Sequence, residues 1–274
     1  MNLAYLLPRL ARHFLPEGLV RFLLRRSLII RPGLETADAP AAIRRYADVL
    51  AAGGGTLKGQ RVLVFGYGGR FDLGLGLLEA GADHVALVEK YAPPDDAHNA
   101  ALMPNYGAYL SMHEGRPRPD PARMTVLQAD IREIVSTGLA PADVVLSNSV
   151  YEHLDDVDGV TRALAALTRP DGRHIHFVDL RDHFFKYPFE MLCYSERVWR
   201  GWLNPSSNHN RYRLRDYRRT FEKYFARVGI EVLAREQTPF ESARPRIRPE
   251  FLSGESREDS VTLICLTASG PRGA

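Results

Sequence analysis

Arg61-Val62-Leu63-Val64-Phe65-Gly66-Tyr67-Gly68-Gly69-Arg70 is an apolar run of strand length that breaks into a glycine turn. It is answered by Glu89 at the end of a second apolar run, His84-Val85-Ala86-Leu87-Val88. A buried strand that enters such a turn and then a helix lets backbone N–H groups approach a ligand with no Cβ in the way. An acidic residue ending the next strand can accept both hydroxyls of a ribose. Together they point to a nucleoside-bearing cofactor, although Gly-x-Gly-Gly also serves as an ordinary tight turn.

Outward from this stretch the pattern is regular. Asp38 can cap a helix with Pro40 in its first turn, carried through Ile43, Tyr46 and Leu50 and stopped by Gly53-Gly54-Gly55. A second helix, near 71–80, ends at Gly81, and strands are legible at 84–88, 125–128, 143–147 and 174–179. Strands alternating with helices imply parallel pairing, right-handed crossovers and a ligand beyond the carboxyl ends of the strands. Leu214, Tyr217, Phe221, Tyr224 and Phe225 then mark a helical stripe, followed by strands at 230–233 and 261–266. The polar segment 242–260 between those strands is too irregular for a confident crossover helix, so an antiparallel closing pair is expected.

Two regions lie outside this alternation. Residues 183–210 are rich in aromatics, among them Phe184, Phe185, Trp199 and Trp202, and read either as an insertion capping the sheet edge or as an extra core module. Residues 1–31 form two amphipathic pieces with Arg9, Arg12, Arg21, Arg25 and Arg26 set among leucines. These fit helices packed on the domain as a lid, or a basic surface for peripheral membrane contact. No uncharged run reaches membrane-spanning length, and the positive charges are not placed as in a cleavable signal. The expected organisation is a helical extension at 1–57, a cofactor-binding domain at 58–268 carrying the 183–210 insertion, and a tail at 269–274.

The 274 residues, 45% of them apolar, suffice for one sizeable core, and the net charge of +3 is spread through the chain. That distribution argues against a nucleic-acid partner. The two cysteines, Cys193 and Cys265, are too few and too far apart for a disulfide framework, and a reducing, cytoplasmic setting is expected. Nothing in the sequence sets the oligomeric state.

In order, residues 58–268 resemble the class I S-adenosylmethionine-dependent methyltransferases. Phe65-Gly66-Tyr67-Gly68-Gly69 is similar to the glycine motif after their first strand, and Val88-Glu89-Lys90 to the acidic end of the second. Gln128-Ala129-Asp130-Ile131 is similar to their adenine-side motif, Ser147-Asn148-Ser149-Val150-Tyr151-Glu152-His153-Leu154 to the fourth-strand segment, and Leu167-Thr168-Arg169-Pro170-Asp171-Gly172-Arg173 to the turn before strand five. The resemblance implies an α/β fold with a doubly wound, mostly parallel sheet of seven strands, the last antiparallel, and S-adenosylmethionine as cofactor. Two departures stand out: Val64 occupies the position of a usual acidic residue, and the third glycine is displaced to Gly69, with Arg70 in its place. Weaker contacts to the amino-acid end of the cofactor follow, unless Tyr67, Arg70 or an N-terminal helix substitutes. A nicotinamide-dinucleotide-binding Rossmann oxidoreductase is the alternative from Glu89, and a catalytically silent binding module the alternative from the altered glycine motif.

By the resemblance, Gly66, Tyr67 and Gly68 pass beneath the methionine and ribose and Glu89, beside Lys90, holds the ribose. Asp130 and Ile131 meet the adenine, and Ser147 and Asn148 border the sulfonium. Methyl transfer to an O or N acceptor on a small molecule needs alignment and a lost proton. His153 and His183 are the candidate bases, with Asp182 adjacent, and Tyr151, Phe185, Trp199 and Trp202 the expected acceptor walls. Arg211 and Arg213 would meet an anionic acceptor group, or else start a solvated helix. No metal is expected: His174, His176, Asp179, Asp182 and His183 are dense but lack a full ligand spacing, and Ser149 stands where some quinone-pathway methyltransferases carry a further carboxylate.

Overall fold

A computed structural model describes residues 2–14, 38–184, 186–204 and 209–272. The second amphipathic piece of the N-terminal region, Phe185 and residues 205–208 lie outside them.

Three apolar runs form the middle of the sheet because they are buried on both faces. Strands β1 (Arg61–Phe65) and β2 (His84–Glu89) pair in parallel from Arg61 opposite His84 to Phe65 opposite Val88. Strand β4 (Ala142–Asn148) flanks β1 on its other side, and β3 (Met124–Gln128) flanks β2 with Glu89 opposite Gln128. Beyond β4 run β5 (Thr168–Asp179), then β7 (Val261–Pro271), then β6 (Phe225–Arg235), giving the order β3-β2-β1-β4-β5-β7-β6. Only β7 runs against the direction of the other six strands, which makes β6 and β7 the antiparallel closing pair expected. The strand order reverses between β1 and β4, which opens a crevice at their carboxyl ends.

Helices cover both faces. Helix α1 (Leu3–His13) stands apart from the sheet, whereas α2 (Ala39–Ala52) packs on it. The Asp38 carboxylate accepts from Ala41 N at 2.9 Å and Pro40 occupies the first turn of α2, so the cap and the buried positions Ala42, Tyr46 and Leu50 agree with the sequence pattern. Helix α3 (Asp72–Glu79) follows the glycine turn and buries Leu75, Leu77 and Leu78. Helix α4 (Val157–Ala166), capped by Asp156, crosses between β4 and β5 on the face opposite α2 and α3, and α5 (Leu214–Tyr224) lays Leu214, Tyr217 and Phe221 into the same cluster as α4.

The 183–210 segment forms short helical turns at Glu190–Cys193, Glu196–Val198 and Trp199–Leu203. With Tyr5 and Leu6 of α1 and with Phe240, Ala243 and Ile247 it builds a third apolar cluster, so its packing is that of a core module. Three features escaped the pattern. A hairpin of Leu110–His113 and Arg116–Pro119 lies outside the main sheet, β5 begins before residue 174, and the 242–260 segment contains turns of helix such as Ser256–Asp259. No described helix is long and apolar enough to cross a membrane, and both cysteines are free thiols.

Candidate functional site

Where β1 ends, the chain takes left-handed backbone at Gly66, Gly68 and Gly69 (φ 78°, 67° and 83°). A Cβ at Gly66 would collide with the Val150 side chain and one at Gly69 with the Pro93 carbonyl, so neither position admits another residue without movement. Asn99, fully buried, fixes the turn from outside: its side chain accepts from Phe71 N at 2.9 Å and donates to the Gly69 carbonyl at 3.0 Å. The sequence offered no signal for this residue, which lies about one supersecondary unit downstream.

This turn forms the floor of a cavity of about 610 Å³, and Gly66, Tyr67, Gly68, Glu89, Lys90, Asp130, Ile131 and Asn148 all line it. Glu89 already has an orientation: it accepts from the amides of Gly68 (3.2 Å) and Tyr91 (2.9 Å), which draws the end of β2 to the glycine turn. Tyr67 is buried, with its hydroxyl lacking a hydrogen-bond partner among the described residues, and burial followed by the Glu89 charge pushes the phenol up to about 12. Arg70 reaches the same cavity and bonds to His98 at 2.9 Å, while Val64 is buried in the core.

Asp130 is more engaged than expected. One oxygen accepts from Arg132 N (3.0 Å) and Nε (2.9 Å), the other from Arg132 Nη2 (2.5 Å) and Lys90 Nζ (3.0 Å). The Arg132 hydrogen bonds come first among the causes holding its pKa well below the usual carboxylate range.

The expected aromatic acceptor chamber is corrected. Tyr151 is fully buried against His176 and Phe221, Trp199 lies in the third cluster donating its indole N–H to the His209 carbonyl at 3.1 Å, and Trp202 is half exposed beside His13. None of these three rings lines the cavity; each packs against residues of other elements. Ser147 is also corrected, because strand alternation turns its hydroxyl inward to His176 Nδ1 at 2.7 Å and leaves Asn148 to face the cavity. Arg211 and Arg213 are held by internal carbonyls: Arg211 donates to the Met191 and Tyr194 carbonyls and pairs with the half-exposed Glu196, while Arg213 donates to the carbonyls of Leu180, Asp259 and Val261. Both are interior braces, and burial lowers Arg213 to about 10. Asp182, fully buried, is held by Tyr5 Oη and by Arg9, so its carboxylate anchors α1.

His153 lines the cavity wall opposite the glycine turn. His183 stands 4.8 Å from it between ring centres, and His209, 4.6 Å from His183, completes an imidazole cluster. Burial, then His209 and His153, lower His183 to about 2, and burial lowers His209 as well. His209 was missed because its neighbours are far away in sequence and the 204–208 segment before it reads as a loop.

No protein-family model and no curated protein matches the chain. Among solved structures it resembles magnesium protoporphyrin IX methyltransferase from Synechocystis PCC 6803, described with bound SAH, at 16% identity over 94% of this chain and 97% of that one (TM-score 0.49). It also resembles 1,6-didemethyltoxoflavin-N1-methyltransferase from Burkholderia thailandensis, at 19% identity over 85% and 79% (TM-score 0.48). A third is an S-adenosylmethionine-dependent methyltransferase from Mesorhizobium loti, at 14% over 82% and 96% (TM-score 0.46). At such identities and scores these likenesses carry no functional argument. The strand order and the reversed β7 stand by themselves: the fold is the doubly wound, seven-stranded arrangement of class I methyltransferases.

Proposed function

We propose that the chain binds S-adenosylmethionine in the 610 Å³ cavity and transfers its methyl group to an O or N acceptor on a small molecule. One observation carries the reading: Glu89 and Asp130, at the ends of adjacent parallel strands, line a single cavity whose floor is the glycine turn. Glu89 would take the ribose hydroxyls, Asp130 and Ile131 the adenine edge, and Asn148 the region of the sulfonium. Tyr67 and Arg70 stand where the missing acidic residue leaves the amino-acid end of the cofactor without its usual partner.

In-line displacement forms the bond from the acceptor lone pair to the methyl carbon as the carbon–sulfur bond breaks. The sulfonium becomes a thioether and the acceptor loses a proton. The acceptor would approach from the wall that His153 and His183 form, and the proton it loses would pass to water.

Calorimetry with S-adenosylhomocysteine tests the cofactor assignment. Glu89→Ala should weaken binding by about 10- to 100-fold, the size of a lost pair of charge-assisted hydrogen bonds. Equal affinity in parent and variant overturns the assignment. Absence of binding in the parent selects the silent-module alternative, which the engagement of Asp130 by Arg132 and Lys90 would favour.

A further inference from the structure

Glu152 and His153 sit on the turn after β4, His183 follows β5, and His209 closes the insertion. One ligand atom from each of Glu152, His153 and His183 falls in a group whose members lie within 4.8 Å of one another. In a four-coordinate site with bonds near 2.1 Å, donors stand roughly 3.4 Å apart, so this triad closes on an ion with side-chain adjustments of about 1 Å.

His209 adds an independent observation. It is 4% exposed, and its ring centre lies 4.6 Å from that of His183 and 5.4 Å from that of His153. Its Nδ1 is 2.7 Å from the Asn210 carbonyl, an oxygen that only accepts, so Nδ1 carries the proton. The lone pair is therefore on Nε2, which is buried and has no hydrogen-bond partner among the described residues. A backbone carbonyl holding one imidazole nitrogen so that the other can ligate is how metal-binding histidines are oriented.

The segments are also fixed to one another. Asn210 donates from its backbone N to the Glu152 carbonyl at 2.7 Å, and from Nδ2 to the carbonyls of Tyr151 (2.7 Å) and Leu154 (3.0 Å). One residue thus ties the His209 segment to the turn carrying Glu152 and His153. A carboxylate and three imidazoles, gathered from three parts of the chain and braced in this way, are more organised than solvation of those groups requires.

We infer that Glu152, His153 and His183, with His209 beside them, form a binding site for a divalent transition-metal ion at the wall of the cofactor cavity. Mixed nitrogen and oxygen donors of this kind suit Zn²⁺ or its analogue Co²⁺ and disfavour Mg²⁺ and Ca²⁺, which seek oxygen ligands. This revises the expectation of no metal, which rested on the spacing around His174 and His176. Because His153 also lines the cavity, an ion held by Glu152, His153 and His183 would border the space where an acceptor would lie. There it would bind an acceptor oxygen and lower its pKa, the proton passing to water. That role rests on the methyl-transfer reading, whereas the site itself does not.

Cobalt spectroscopy on chelator-stripped protein tests it. One equivalent of Co²⁺ should give visible d–d absorption that one equivalent of Zn²⁺ abolishes, and His183→Gln and His153→Gln should each lose the band. His209→Gln should weaken Zn²⁺ binding by about 10- to 100-fold. Far-ultraviolet circular dichroism of each variant in chelator establishes that it is folded. A colourless parent, or a band that survives both substitutions in folded protein, overturns the proposal. Titration of the same samples with S-adenosylhomocysteine separates the two readings: a protein that binds it but not cobalt sinks the metal site alone, and the converse sinks the cofactor alone.

Discussion

Asp130 illustrates how one side chain can be correctly placed and still be incompletely available. A carboxylate has about four lone-pair positions, and here each is used, three by Arg132 and one by Lys90. The Arg132 contacts are local and include the turn that starts the helix at Ile131, so they are the harder to displace. Lys90 Nζ is the replaceable partner, since its side chain is 43% exposed. An adenine amino group would compete with that ammonium for one oxygen. Lys90→Met should therefore tighten S-adenosylhomocysteine binding by about 3- to 10-fold, equivalent to one modest hydrogen bond regained. Unchanged or weaker binding in the titration would mean that Lys90 itself meets the ligand. The sequence could place Asp130 at a strand end, but the competition depends on Arg132 folding back, which no spacing announces.

At the scale of elements, β5 carries a buried polar chain. The Thr168 hydroxyl donates to the Leu164 carbonyl at 2.6 Å, so its oxygen must accept from His174 Nε2 at 2.8 Å. His174 Nδ1 then accepts from His176 Nε2 at 3.0 Å, and His176 Nδ1 accepts from Ser147 Oγ at 2.7 Å. Every group is satisfied only while both imidazoles are neutral. Burial pushes His174 down to about 3 and His176 well below its ordinary value. The unfolded chain takes up these protons as pH falls through about 6.5 while the folded chain does not, so the stabilisation is complete above that pH and declines below it. The slope is about 1.4 kcal/mol per pH unit for each histidine. Urea unfolding between pH 7 and 5 should show His174→Gln losing about that much slope relative to the parent, and an unchanged slope would refute the assignment of neutral rings.

The same scale explains what was legible. Strands β1, β2 and β4 announce themselves because residues buried on both faces make continuous apolar runs, and α2 and α5 because one face is buried at helical period. The hairpin at Leu110–Pro119 shows only one deeply buried residue on its first strand and prolines on its second, so no alternation marks it. Arg211 and Arg213 read as a basic surface because charge suggests solvent, yet each satisfies backbone carbonyls inside the protein. The imidazole cluster was half visible: His153 and His183 sit at strand ends, but their meeting with His209 depends on a path through the insertion that periodicity does not encode.

Over the whole molecule, a ligand in the main cavity touches residues following β1, β2, β3 and β4, so it ties together separate crossover units. Binding to the folded state alone stabilises it by about 2.7 kcal/mol at a concentration 100 times Kd. For a domain of this size that corresponds to roughly 5–10 °C in Tm. S-adenosylhomocysteine at that excess should produce such a shift in the parent, and Glu89→Ala at the same concentration should show about half of it or less. A shift of equal size in the variant would place the ligand elsewhere.

Helix α1 is fastened to the rest by contacts that span much of the chain: Tyr5 reaches Asp182 across 177 residues and Arg9 reaches it across 173. At translation rates of about 5–20 residues per second, these residues leave the ribosome roughly 9–35 s before the carboxylate that receives them. During that interval Tyr5 and Leu6 have no native shelter, which makes the nascent amphipathic segment a natural client for holdase chaperones and α1 a late arrival in the folding order.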